Sequence, residues 1–169
     1  MSLFIPSNVP TDAALLRRYL AEEFNKVNAA KSDVEYGVWV PRIAGTTTPG
    51  TQTYSTQFGR WSKYGFTVNL HFRVNMTAKD GATAGNIVIT DFPFPVEGAA
   101  IAPFAGAIYS NNLTLTAGHT WVVCIPSPGF LSKGIYECGS GVAAAILQAA
   151  ALANTTHLIG TLQYLTNLE

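Results

Sequence analysis

Hydrophobic and polar side chains alternate without interruption from Phe66 to Thr77. Apolar residues occupy every even position of this stretch and polar residues every odd one. Because successive side chains of an extended strand point to opposite faces, this period places all the apolar side chains together. The pattern predicts a β-strand over residues 66–76, with one face buried in a core and the other facing solvent or a partner.

The N-terminal region follows a different period. Apolar residues recur at spacings of three and four between Ala13 and Ala30, with good helix formers between them. We predict a helix over residues 12–30 with Thr11 as its N-cap. A helix of this length is marginal alone, so its apolar stripe must pack on its own domain, on copies of itself or on a neighbouring protein. The side chains that we expect to mediate oligomerisation or anchoring are Leu16, Leu20, Phe24 and Val27.

After residue 36 the chain changes to short β-type runs separated by Gly, Pro, Thr and Asn clusters. About eight or nine short strands with turn signals between them are typical of a β-sandwich. We therefore predict a mainly β protein, an antiparallel, jelly-roll-like sandwich in residues 36–169, preceded by an arm and one α-helix in residues 1–35. The predicted strands are residues 38–43, 53–63, 66–76, 85–90, 105–110, 113–116, 121–125, 134–137 and 157–165.

Two segments carry less regular signals. The Gly-containing loop after the long strand predicts a hairpin that pairs this strand with residues 85–90. The alanine-rich residues 143–153 have high helix propensity, but small residues also suit a packed strand in an all-β neighbourhood. For the alanine-rich segment we predict a strand first and a turn or short helix after it.

Charge and composition narrow the choice of partners. The 169 residues include 10 Lys and Arg against 10 Asp and Glu, and 48% are hydrophobic. So little charge gives only weak electrostatic steering toward nucleic acid or an anionic membrane, and neither is an expected partner. The apolar content favours an oligomer or a larger particle over a monomer with a Thr-, Asn- and Gly-rich surface. The sequence contains no apolar run of membrane-spanning length and no signal-peptide pattern, so we expect synthesis in the cytosol.

The sequence contains no motif typical of catalysis, metal ligation or cofactor binding. The histidines stand far apart, in no zinc-ligand spacing, and the carboxylates of the β region lie in or beside turns. We therefore expect no enzyme activity, no metal and no cofactor. Aromatic side chains on exposed strand faces can stack on sugar rings, although core packing is their commoner use. The candidates for a glycan or partner contact are Tyr54, Trp61 and Tyr109.

Residues 36–95 resemble a β-sandwich module of bacteriophage tail fibres and tail spikes. That module opens on G-x-W-x-P, continues through Y-S-x-Q-x-G-R-(Y/W)-x-(K/R)-x-G and a long alternating strand, and ends its first half at P-F. Its closing G-T-x-x-Y strand is similar to Gly160, Thr161 and Tyr164. The matching positions of the first half are Gly37, Trp39, Pro41, Tyr54, Gln57, Gly59, Arg60, Trp61, Gly65, Pro93 and Phe94.

The resemblance implies a virion structural protein: a homotrimer, not an enzyme, that adheres to host surfaces or reinforces an appendage. It implies other virion proteins as partners, and host-cell carbohydrate as a further one. It also places Trp39 in the core. Because one short module with almost no shaft also suits a capsid decoration protein, a head fibre or cement protein without a receptor role is the alternative. A capsule depolymerase is a third interpretation, disfavoured by the absence of a convincing acidic pair.

Overall fold

The structure is a computed structural model that describes residues 12–31, 34–97, 105–126 and 133–166. The chain divides into two compact units, Met1–Glu35 and Tyr36–Glu169. The first unit contains a helix and the second contains a β-sheet.

Helix α1 of the first unit spans Ala13–Lys31. Asp12 caps it, because its Oδ1 accepts hydrogen bonds from the backbone N–H groups of Ala14 (2.9 Å) and Leu15 (3.1 Å), which have no partner inside the helix. Thr11, the N-cap that the sequence predicts, lies outside the described residues. The helix itself is confirmed to within one residue at either end.

The second unit is built on one antiparallel sheet of ten strands that curls around its core. The sheet order is β1-β3-β4-β10-β6-β7-β8-β5-β2, with β9 paired to β8. The mainly β class with an N-terminal helix is confirmed, whereas two separately hydrogen-bonded layers of a jelly roll are not. The strands are β1 Val34–Trp39, β2 Arg42–Gly45, β3 Thr53–Tyr64, β4 Thr67–Ala78, β5 Ile87–Thr90, β6 Gly106–Leu113, β7 Trp121–Pro126, β8 Lys133–Gly139, β9 Val142–Ile146 and β10 Leu152–Leu165.

The predicted alternating strand supplies the centre of the core. The even-numbered side chains of β4, from Val68 to Met76, are all buried, and the odd-numbered ones point away from the core. Phe66, which the alternation places on the buried face, is instead exposed. It lies with Gly65 in the turn between β3 and β4, and Gly65 has a positive φ of 54°. The turn therefore takes Phe66 out of the strand before its side chain can reach the core.

The predicted hairpin between β4 and β5 is wrong. Strand β4 pairs with β3 and β10, whereas β5 pairs with β2 and β8. The connecting loop is held by buried Gln52, which accepts from the N–H of Asp80 (2.8 Å) and donates to the Thr83 hydroxyl (2.6 Å). These hydrogen bonds hold the loop in place. The chain then continues into β5, which lies beside β2 and not beside β4.

Two other predicted strands differ from the structure. Residues 38–43 are divided between β1 and β2, which lie at opposite ends of the sheet order, and Pro41 between them has no N–H for a ladder. Residues 113–116 are not a strand beyond Leu113, where β6 ends. The alanine-rich segment follows the prediction: β9 comes first, and a 3₁₀ turn at Ala149–Ala151 follows.

Glu137 is a buried carboxylate on β8. One oxygen accepts from the N–H of Thr116 (2.8 Å) and the other accepts from the Thr116 hydroxyl. Burial acts to raise the pKa of Glu137, but these hydrogen bonds and the nearby His119 outweigh it, so that the pKa is lowered from its ordinary value of 4.5. The ionised carboxylate therefore stabilises the fold above pH 4.5, and this contribution is lost as the pH falls through the lowered pKa.

We expect Glu137→Gln to lower the free energy of unfolding by about 1–3 kcal/mol at pH 7, because the N–H and hydroxyl of Thr116 lose a charged, buried acceptor. The difference between the wild type and the variant should shrink as the pH falls from 4.5 through the lowered pKa of Glu137, because the wild-type carboxylate takes up a proton there. Urea denaturation of both proteins between pH 3 and 7 measures this. A difference that does not change with pH would contradict the prediction.

Candidate functional site

The side chains predicted to mediate oligomerisation form one apolar stripe on α1. Leu16, Leu20, Phe24 and Val27 are spaced by four, four and three positions, which places them on one side of a helix. Leu16 is half-buried, and the other three are exposed, with 65% of Phe24 accessible. Exposed large apolar side chains in a row form an apolar patch of the kind that interaction surfaces often contain. Their role in assembly stays a prediction.

Tyr54, predicted as a glycan contact, closes an edge of the sheet. Its hydroxyl accepts from the N–H of Ile43 (2.9 Å) and donates to the C=O of the same residue (3.3 Å). Ile43 lies on β2, the last strand of the sheet order. The tyrosine hydroxyl therefore hydrogen bonds to backbone groups that an edge strand would otherwise leave unpaired. Gln57 similarly donates to the C=O of Pro41 (3.2 Å). Tyr54 is therefore engaged within the fold, and its ring lines a groove of about 610 Å³ beside β2.

We expect Tyr54→Phe to lower the free energy of unfolding by about 1–3 kcal/mol, because both backbone groups of Ile43 lose a partner in a part-buried place. Tyr64→Phe is the matched control, since Tyr64 is an exposed tyrosine at the end of the same strand and its variant should change stability little. Thermal denaturation compares them. Equal effects in the two variants would show that the Tyr54 hydroxyl does not hold the edge.

Trp61 and Tyr109, the other two predicted contacts, lie on opposite sides of the sheet. Trp61 is half-buried, packs edge-to-face on Phe94 with ring centres 4.8 Å apart, and covers Gly37, where a Cβ would come within 2.7 Å of the indole. Tyr109 on β6 is 59% exposed. The structure thus does not bring the three predicted contacts together: Tyr54 and Trp61 pack against the core, and Tyr109 points away from it.

Tyr109 belongs to a row of side chains that crosses four strands on the side facing away from the core, which we call the outer face. The strand register pairs Phe58 with Arg73, Arg73 with Ile159, and Ile159 with Tyr109. Directly opposite residues of neighbouring strands share a face, so the four side chains lie side by side on β3, β4, β10 and β6. All four are exposed. They form a band of apolar and aromatic surface that contains one arginine.

A second row lies beside the first and contains a shallow depression. Arg60 is opposite His71, and His71 is opposite Thr161. The depression has a volume of about 320 Å³ and is lined in part by His71 and Thr161, together with Asn69 and Gln163, whose side-chain amides hydrogen bond at 3.1 Å. Its walls therefore offer hydroxyl, amide and imidazole groups.

Hydrogen bonds connect Arg73 of the first row to Asn75 and, through it, to His157, which face each other in a neighbouring row. When the Asn75 amide is oriented to satisfy both its ends, it donates to His157 Nε2 (2.9 Å) and accepts from the Arg73 guanidinium (3.3 Å). The His157 ring also packs edge-to-face on the Tyr109 ring, with the ring centres 5.8 Å apart. Burial and the charge of Arg73 lower the pKa of His157 from 6.5. His157 is therefore mainly neutral at pH 7, and Arg73 supplies the positive charge of this group.

Sequence reasoning missed Phe58, Arg60, Arg73 and Ile159 as members of one surface. The alternation of β4 predicts that Arg73 points away from the core, but only the pairing with β10 and β6 shows what lies beside it. One signal was available: none of the strands β3, β4, β6 and β10 contains Asp or Glu. A long region with arginine and aromatic residues but no carboxylate marks a surface of one charge sign.

Two further structural features concern membrane-spanning helices and clusters of metal-binding side chains. In the part of the chain that the structure describes, no helix is both long and apolar enough to cross a membrane. Within the same residues, no three His, Cys, Asp or Glu side chains lie close enough together to hold a metal ion.

Comparisons with known proteins show where a similar fold occurs. No protein-family model matches the chain, and no curated protein matches its sequence. Among solved structures, the chain is similar to part of the Dettilon tailspike protein (gp208), with a TM-score of 0.63 and 18% sequence identity over 79% of the chain. The match covers 24% of the tailspike, so the chain spans about a quarter of that protein's length. The chain therefore has a fold that occurs in a phage tail appendage.

Proposed function

We propose that this protein is a non-enzymatic structural component of a bacteriophage tail appendage, located on the virion, which assembles as a homotrimer and helps to bind the host surface. The observation that carries the proposal is the fold shared with the Dettilon tailspike, at a TM-score of 0.63. The resemblance of residues 36–95 to a tail fibre and tail spike module supports it from the sequence side.

The proposed means of assembly is the apolar stripe of α1. Three helices that pack through Leu16, Leu20, Phe24 and Val27 remove these apolar side chains from water, which is the main driving force for such association. The helix that carries this stripe is also the part that would attach the trimer to other virion proteins. Three copies held together also make weak contacts effective, because the second and third contacts become intramolecular.

The proposed contact with the host is made by binding alone. The outer face offers exposed aromatic, amide and hydroxyl groups, which suit a carbohydrate of the cell surface. No bond of that carbohydrate has to be broken for attachment. If purified host polysaccharide incubated with the protein released oligosaccharides above the level of a heat-denatured sample, the non-enzymatic part of the proposal would be wrong.

Immunogold labelling of intact particles tests the location. An antibody raised against residues 36–166 should label the tail or its fibres. Labelling over the capsid would instead favour a decoration protein and would overturn the tail assignment. A particle that lacks the gene for this chain is the control for antibody specificity.

A further inference from the structure

The four strands that form the outer face carry positive charge and contain no carboxylate. Arg60 and Arg73 point outward from β3 and β4, and neither β3, β4, β6 nor β10 contains an acidic residue. Arg60 lies opposite His71, two positions from Arg73, so the two arginines are diagonal neighbours with Cα atoms about 7–8 Å apart. Because both positive charges lie on the same face, an anion bound there would be attracted to both.

The contacts of the two arginines leave their charge available. The Arg60 guanidinium lies 5.4 Å from the centre of the Phe58 ring, and the Arg73 guanidinium donates to the Asn75 side-chain oxygen (3.3 Å). Both partners are uncharged and both arginines are exposed. Among the described residues, no ion pair involves either arginine. Guanidinium groups held in place by a ring or an amide suit a planar carboxylate, which can accept two parallel hydrogen bonds.

The surroundings of the arginines match a sugar rather than a simple ion. Tyr109 presents an exposed ring in the same row as Arg73, and a sugar can stack on such a ring. The depression beside it offers the Thr161 hydroxyl and the amides of Asn69 and Gln163 as partners for sugar hydroxyls. Aromatic surface, amides and unbalanced positive charge therefore occur together on one face.

We propose that the outer face binds a carbohydrate chain that carries carboxylate groups, a polyuronate-like chain, with Arg60 and Arg73 on the carboxylates, Tyr109 stacked on a ring and the depression holding one sugar unit. The proposal names a ligand class and a site for the host binding proposed above, and so rests on that function.

A second copy of the chain fits this face less well, because three carboxylates of its residues 36–169 already have partners. Asp80 of the β unit accepts from the N–H groups of Thr51 and Ala82, and Asp91 pairs with Arg42 at 3.2 Å. Glu137 is buried and bonded to Thr116. An acidic sugar chain supplies the missing charge without breaking any of these contacts.

Titration calorimetry of the full chain with hexagalacturonate tests the proposal, with neutral maltohexaose as the matched sugar. We expect binding of the acidic hexamer and at least tenfold weaker binding of the neutral one. Arg60→Gln and Arg73→Gln should each weaken hexagalacturonate binding roughly tenfold, and Tyr109→Ala should weaken it by a similar factor. Arg42→Gln, which removes the same charge beside β2, is the control and should bind as the wild type does.

No binding of hexagalacturonate by the wild type, equal binding of both sugars, or equal weakening by Arg42→Gln would overturn the proposal. So would a fall in molar mass caused by the Arg60, Arg73 or Tyr109 variants, since the face would then be an interface between copies. Because the molar mass is measured on the same samples, the two proposals can fail separately. A trimer that binds no acidic sugar overturns only this inference, whereas a monomer that binds it through Arg60 and Arg73 supports the inference and overturns the proposed trimer.

Discussion

Replacing Leu20 by Asp dissociates the protein into monomers, if the apolar stripe of α1 is the seam of a trimer. Leu20 lies between Leu16 and Phe24 along the stripe, and 44% of it is exposed in the single chain. In a bundle, its side chain would be removed from water and an aspartate would be buried without a partner, which costs several kcal/mol in each copy. The molar mass by light scattering should fall from three times 18.0 kDa to 18.0 kDa.

Asn25→Asp is the matched control for this change. Asn25 is an exposed residue of the same helix that lies about 140° around the axis from Leu20, so its variant adds the same charge outside the stripe. The control variant should keep the mass of the wild type. An unchanged mass in Leu20→Asp, or the same loss in both variants, would rule out the stripe as the seam. Circular dichroism of both variants checks that the helix itself survives.

Trp39→Ala should lower the free energy of unfolding by about 3–5 kcal/mol, because it leaves a large cavity in the core. Only 7% of Trp39 is exposed, and its indole packs edge-to-face against Phe92 (5.2 Å) and Phe72 (6.3 Å). The indole also covers Gly59, where a Cβ would come within 2.3 Å of it, so β1 and β3 interlock at this point. Its buried N–H has no hydrogen-bond partner among the described residues, so the expected loss is one of packing.

Trp121→Ala is the control for the loss of an indole. Trp121 begins β7 and is 48% exposed, so its removal should cost less than about half as much. Both variants are compared by urea denaturation at one protein concentration, because the stability of an oligomer depends on concentration. A loss below about 1 kcal/mol for Trp39→Ala would contradict its place in the core.

Local periodicity is what made the helix and the central strand predictable. The three-and-four spacing defines α1, and the even-numbered apolar positions of β4 are the ones that are buried. Small residues in an all-β context correctly predicted β9 followed by a short 3₁₀ turn. In each case the information lies within about a dozen neighbouring residues, because the spacing of apolar side chains within such a window indicates a helix or a strand.

The predictions that failed depended on contacts between distant parts of the chain. The loop after β4 looks like a hairpin turn, but Gln52 and Thr83 redirect it through a hydrogen bond between residues far apart in sequence. The outer face arises because β10, the last strand along the chain, pairs with β4. In this pairing Leu162 lies opposite Leu70, which is 92 positions earlier in the sequence. Composition could identify Tyr54 and Trp61 as aromatic candidates, but only the fold shows that one closes a strand edge and the other covers a glycine.

Cryo-electron microscopy of the intact particle that carries this chain is the most direct test of the proposed trimeric tail appendage. The account predicts density for the β unit on the tail or its fibres, in groups of three, with three α1 helices packed through Leu16, Leu20, Phe24 and Val27. Density on the capsid, or α1 helices that do not contact one another, would contradict it.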